Sequence, residues 1–138
     1  MIKAINLAII TEEGILLVKK KETWILPGGK PDFKEESDEQ VLNREFSQEL
    51  PLTRIKINEF YKSVSGITPH KGYELEAKVY FGKLVGIIKP SAEINDARYV
   101  KNFQDYNLSD ITKKIINSLI KDKYLKWQQT KFLQEAMI

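Results

Sequence analysis

Apolar and polar positions change period several times along the chain, and each change marks an element. Ile2 to Ile10 and Gly14 to Lys20 are apolar, β-branched runs separated by Thr11, Glu12 and Glu13, a pattern that predicts two strands joined as a hairpin closing near Gly14. Trp24, Ile25 and Leu26 form a short apolar piece that stops at Pro27, Gly28 and Gly29, where extended backbone gives way to a loop. Ser37 followed three residues later by Gln40 has the form of a capping box, and Pro51 cannot continue a helix, so a helix is predicted over 38–50. Ile55 to Val64 and Tyr73 to Val85 read as longer strands, joined by a loop containing Gly66, Pro69, His70 and Gly72. In the second of these, Leu75, Ala77, Val79 and Phe81 alternate with Glu74, Glu76, Lys78 and Tyr80, which gives one buried and one wetter face. After Pro90 comes a segment ending in Ala97, Arg98, Tyr99 and Val100, and then Ser109 caps a helix in which Ile111, Ile115, Ile116, Leu119 and Ile120 keep helical spacing. Leu125, Phe132, Leu133, Ala136 and Met137 suggest a short helical extension over about 124–138.

The order of strands, helix, strands and helices predicts an α+β fold with a mixed sheet between helices, not a regular βαβ series. At 138 residues, without repeats, low-complexity tracts or linkers, a single domain over 1–138 is expected. No stretch approaches the roughly 20 apolar residues of a membrane span, and the start, MIKAINLAII, lacks the separate regions of a secretory signal. The chain has no cysteine, hence no disulfide framework, thiolate nucleophile or thiolate metal site, and a reducing cytoplasm is the expected location. The formal net charge of +3 resides in residues 101–138, where seven lysines face four acids, so the first hundred residues balance at zero. A lysine-rich helical tail is ordinarily a solvated face, and the charge does not point to nucleic acid as a partner.

Chemistry concentrates in Pro27 to Leu52, PGGKPDFKEESDEQVLNREFSQELPL. On a helix, Glu45 and Glu49 lie one turn apart on one face, with Gln48 beside them and Asp38 further back, while Leu42, Phe46 and Leu50 form the adjoining apolar stripe. Carboxylates at that spacing repel by a few tenths of a kcal/mol unless a cation lies between them. Hard oxygen donors so placed suit magnesium, which takes one or two carboxylates and completes its octahedron with water and substrate phosphates. Glycines ahead of the helix let backbone approach metal and substrate closely. Taken alone, however, two glutamates on an exposed helix describe a solvated face equally well.

The wider pattern resembles the Nudix hydrolase family. That family's box is a glycine, five residues, a glutamate, seven residues, then Arg-Glu-apolar-x-Glu-Glu-x-Gly-apolar. Glu36, seven residues, Arg44, Glu45, Phe46, Ser47, Gln48, Glu49, Leu50, Pro51 and Leu52 follow it, with Leu26-Pro27-Gly28-Gly29-Lys30 as lead-in. The resemblance covers about residues 2–122 and implies an α/β/α sandwich. It also implies a hydrolase that attacks a diphosphate linkage in a nucleoside diphosphate joined to another group, using water activated by magnesium, with manganese as a substitute. It assigns metal binding to Glu45, Glu49 and the Gly28 carbonyl, supported by Arg44 and Glu36, with Glu93 as a further carboxylate and Glu93 or Glu36 taking the proton.

The sequence departs from the box in three places. Six residues, not five, separate Gly29 from Glu36; Gln48 replaces the first glutamate of the pair; and Pro51 replaces the terminal glycine. Gln48 can still coordinate a metal through its carbonyl oxygen but brings no charge. These departures motivate an alternative, a domain of this family that binds a nucleotide or a protein partner without hydrolysing. Trp24 and Phe33 are candidates to stack on a base, and Lys19, Lys30 and Arg98 to meet phosphates, although an aromatic beside a strand is more often core. The expected partner is a small nucleotide-like molecule, with a homodimer through the final helix left open.

Overall fold

A computed structural model describes residues 1–32, 36–68 and 71–126. The elements are β1 (Ile2–Ala8), β2 (Ile10–Thr11), β3 (Gly14–Lys20), β4 (Thr23–Ile25), β5 (Gly28–Gly29), α1 (Asp38–Glu49), β6 (Thr53–Ile67), β7 (Glu74–Gly86), β8 (Ile94–Val100), a 3-10 turn at Phe103–Asp105, and α2 (Asp110–Lys121). The strands form two four-stranded sheets. One has the order β5-β1-β7-β6; in the other β3 pairs with β2, β4 and β8. β1 runs parallel to β7 while β5 and β6 pair antiparallel, so the first sheet is mixed, as the element order predicted.

The expected hairpin between the first two runs is only two residue pairs long, with Ile10 opposite Ile15 and Thr11 opposite Gly14. The rest of the first run is in the other sheet, with Ile2 opposite Leu75 and Ala8 opposite Phe81. The chain changes sheets at Ile9, whose carbonyl accepts the Leu16 N–H at 2.9 Å. Periodicity sets which side chains are buried, not which strand becomes the neighbour.

β1 and β3 each send alternate side chains to opposite sides. Ala4, Ala8, Ile15 and Leu17 pack in one core with Ile111, Ile115, Ile116 and Leu119 of α2, while Ile5, Leu7, Leu16 and Val18 pack in another with Val41, Leu42 and Phe46 of α1. The two sheets therefore lie between two helices, each helix holding its apolar stripe against them. The start of α1 is the capping box read from the sequence: Gln40 N–H donates to Ser37 Oγ at 3.2 Å, and Ser37 N–H donates to Gln40 Oε1 at 2.8 Å. Leu50 closes the helix by donating its N–H to the Phe46 carbonyl at 2.8 Å, just before Pro51. Of the suggested C-terminal extension, Leu125 is buried against the α2 core, and residues from 127 onward lie outside the described ones. Among the described residues, no helix is long and apolar enough to cross a membrane.

Leu17 is fully buried, so Leu17→Ala is expected to destabilise the protein by about 2–5 kcal/mol, read as a lower urea midpoint with unchanged slope. Leu52, 54 % exposed, serves as the contrast: Leu52→Ala changes stability by less than about 0.5 kcal/mol in the same assay.

Candidate active site

The site begins with the turn that follows β4. Asn6 of β1 donates its side-chain N–H to the Leu26 carbonyl at 3.1 Å, and the Leu7 N–H donates to the Pro27 carbonyl at 3.0 Å, fixing the turn to the central strand. Gly28 has φ +140, and a side chain there would meet the Ile5 carbonyl oxygen at 2.1 Å. At Gly29 the obstacle is functional: an added Cβ would lie 2.4 Å from Glu45 Oε1. Only glycine lets this backbone run against the Glu45 carboxylate.

Arg44 ties the loop to the helix. Its guanidinium donates to Glu36 Oε1 at 3.0 Å and Oε2 at 3.3 Å, to Glu45 Oε1 at 2.9 Å and to the Lys30 carbonyl at 2.9 Å, with Asp32 3.3 Å away. This two-pronged grip on Glu36 holds the Glu36 carboxyl below the usual carboxylate range. It also leaves Glu36 committed to Arg44. Because Arg44 and Glu45 are adjacent in sequence, the fork that captures the loop also aims the Glu45 carboxylate.

Glu49 lies one turn on and is only 5 % exposed. Among the described residues no hydrogen-bond donor reaches its carboxylate, and burial, with repulsion from Glu45, pushes its carboxyl up to about 8. Burial likewise raises the Glu45 carboxyl, against the pull of Arg44. Glu93 approaches from the loop before β8. That loop is hooked to the end of α1 by a bond from the Ser91 N–H to the Glu49 carbonyl at 2.9 Å, and Glu93 Oε1 pairs with Lys20 Nζ at 3.0 Å. Negative charge is thus gathered around one buried carboxylate that the protein leaves without a donor. Such a donor set fits a hard divalent cation with most of its remaining positions given to water and phosphate. Among the described residues, no three acidic, histidine or cysteine side chains form a ready metal cluster, so the fit rests on the carboxylate pair of α1.

Glu45 and Glu49 line a cleft of about 470 Å³ together with Gly28, Gly29, Lys30, Glu93, Lys20 and Asn6. Its far wall is apolar, with Ile2, Ala4, Leu75 and Ile111. Gln48 is exposed and does not line the cleft, and Arg44 and Glu36 stand behind it. Trp24 and Arg98 are placed elsewhere. Trp24 is buried in the α2 core, edge-on to Tyr106 with ring centroids 5.1 Å apart, and Arg98 pairs with Asp96 at 2.9 Å over the Trp24 ring. Phe33 and His70 lie outside the described residues. Asp38, expected behind the glutamates, is engaged by Lys78 and Tyr80 of β7.

Lys20 and Asn6 are the residues that the sequence reading missed. It chose Lys19 for phosphate contact, but on a strand neighbours point oppositely, and it is Lys20 that shares the face of Leu16 and Val18, toward α1. That alternation was legible; which face met the acidic helix was not.

No curated protein matches this sequence. Among solved structures, the chain is similar to the MutT protein from Methanosarcina mazei Go1, at 21% identity and a TM-score of 0.73, over 88% of this chain and 94% of that one. It is similar to an ADP-ribose pyrophosphatase from Streptococcus suis at 19% identity and a TM-score of 0.65, over 92% and 96% of the two chains. It also resembles a bifunctional NMN adenylyltransferase/ADP ribose pyrophosphatase from Francisella tularensis, solved with AMP and a manganese ion, at 16% identity and a TM-score of 0.60, over 88% of this chain and 41% of that one. At these identities the likeness is one of fold. The family model of the NUDIX domain, in contrast, matches the sequence itself over residues 2–122, a stretch that holds the loop, the carboxylate helix and the Glu93 segment; the chain belongs to the NUDIX domain family.

Proposed function

We propose that this protein hydrolyses a diphosphate linkage in a nucleoside diphosphate joined to another group, with magnesium, or manganese in its place, held by Glu45, Glu49 and the Gly28 carbonyl. The observation that carries the reading is the carboxylate of the buried Glu49, without a donor among the described residues, one turn from Glu45 in the lining of the cleft. The Streptococcus suis relative, an ADP-ribose pyrophosphatase matched over 96% of its length, supports a substrate of this class. When bound, magnesium neutralises the diphosphate and lowers the pKa of the attacking water. The remaining work belongs to the chain. Arg44 keeps Glu45 aimed into the cleft and the Gly28–Lys30 backbone against it. Lys20 and Lys30, both lining the cleft, meet phosphate oxygens. Glu93, whose side chain is 59% exposed and of which Lys20 engages one oxygen, would offer one oxygen to the cation and the other to the proton of the attacking water, since Arg44 occupies both oxygens of Glu36. Attack breaks one phosphorus–oxygen bond of the linkage and leaves two phosphorylated products.

A panel of nucleoside diphosphate-linked compounds is expected to yield a nucleoside monophosphate from at least one member in magnesium, and none in EDTA, with product identified by chromatography. No release from any member would overturn the proposal. Glu49→Gln is expected to lower kcat/KM by at least about 100-fold on that substrate.

Gln48→Glu separates this reading from the alternative of a non-hydrolysing binding domain. Because Gln48 is exposed and outside the cleft lining, the substitution is expected to change kcat by less than roughly fivefold. A rise from almost no activity to a strong one would favour the binding domain instead.

Glu49 also ties stability to pH. Its carboxyl titrates at about 8 in the fold and near 4.5 otherwise, so the fold favours the protonated form, and stability present at low pH is lost as pH rises toward 8. Glu49→Gln should therefore raise the melting temperature of metal-free protein by roughly 5 °C at pH 8, with the gain vanishing near pH 5. Calorimetry across that range checks the sign.

A further inference from the structure

Two separate devices bring Glu93 to Lys20. The β3–β8 ladder is regular from Ile15↔Val100 to Lys19↔Asp96 and then shifts, so that Lys20 lies opposite Ile94 instead of Asn95. A bulge of this kind re-aims the side chains at a strand end. Asn95, skipped by the ladder, donates its side-chain N–H to the Lys21 carbonyl at 3.1 Å, which secures the shift. On the other side, Ala92 has φ +55 and Ser91 is bonded to the Glu49 carbonyl, turning the loop so that Glu93 faces the end of α1. The result is the 3.0 Å pair of Lys20 with Glu93, its side chains 40% and 59% exposed, at the edge of the same cleft as Glu45 and Glu49.

Exposed ion pairs of this kind contribute little to stability. The position of this one is what matters. Among the described residues, Lys20 is the only lysine or arginine that both lines the cleft and pairs with a carboxylate lining it; Arg44, which pairs with the lining carboxylates Glu45 and Asp32, does not line the cleft itself. The positive charge of Lys20 also favours the ionised forms of Glu45 and Glu49, against the burial that raises both.

We infer that Lys20 is an exchangeable counter-ion: it holds the Glu93 carboxylate when the cleft has no divalent cation, and turns to the substrate diphosphate when a cation claims Glu93. The inference rests on the reading of the site given above. Its consequence is that metal alone binds more weakly than the three carboxylates would allow, because the ion pair must first be broken. Metal and diphosphate then assist one another through the released ammonium, in addition to any direct contact between them. Lys20 is on this account a positioning and substrate-binding residue, not a catalytic one.

The test is a manganese titration of the full chain, followed by the electron paramagnetic resonance of the free ion, on the wild type, Lys20→Met, Glu93→Gln and the double variant. Lys20→Met is expected to tighten manganese about tenfold when Glu93 is present and less than about twofold when it is Gln. At saturating manganese, the same variant is expected to bind methylenediphosphonate about tenfold more weakly, and Lys20→Arg to restore both affinities toward wild type. Unchanged or weaker manganese binding by Lys20→Met overturns the inference. So does an equal tightening in the Glu93→Gln background, which would mean a general field effect. Failure of the underlying site is distinguishable: wild-type manganese binding that is absent, or that survives Glu49→Gln unchanged, puts the metal elsewhere.

Discussion

The guanidinium of Arg44 divides its donors between Glu36, Glu45 and the Lys30 carbonyl, and the geometry of the candidate site depends on that division. Through it, the Lys30 backbone after β5 is bonded to α1. With it, a planar, always-charged group places a backbone turn and a carboxylate at set distances from one another. The glycine pair completes the arrangement: a Cβ at Gly29 would displace the Glu45 side chain, and one at Gly28 would collide with the Ile5 backbone. One arginine, two glycines and one glutamate thus convert a strand, a loop and a helix into a single surface.

α1 meets two demands that conflict. Its apolar stripe must be buried against β1 and β3 for the sandwich to hold, yet the carboxylate of Glu49 sits at the edge of that stripe and is drawn in with it. The fold pays for this by keeping a carboxyl whose charged form is disfavoured. A carboxyl drawn into a packed stripe is ordinarily matched by a donor, and among the described residues Glu49 has none, which makes it a candidate binding position.

Around this core the remaining charges are arranged by strand geometry. The bulge in β8 and the turn at Ala92 deliver Glu93, and alternation along β3 delivers Lys20, to the same edge of the cleft. The apolar far wall, with Ile2, Leu75 and Ile111, is supplied by elements of the other core. The cleft therefore spans both layers, acidic toward α1 and apolar toward α2.

Local interactions made much of this legible in the sequence. The Ser37–Gln40 capping box and Pro51 delimit α1 because caps and breakers act within a few residues, and the helical repeat then puts Glu45 and Glu49 on one face. The family box identified Arg44 and Glu36 as supports, and the structure joins them by hydrogen bonds. What the sequence did not determine is everything that depends on which strand lies beside which. The first run was read as one strand of a hairpin, but it divides at Ile9 between two sheets, because burial on both faces suits it to the centre of the parallel pair with β7. Trp24 and Arg98, candidates for substrate by residue type, stack on each other at the far side of β3, while Lys20 and not Lys19 reaches the acids. Residue type and spacing announce the chemistry because they are local. The partners of a strand's two faces are chosen only when distant segments pack, and there tertiary structure decided which charges became the site.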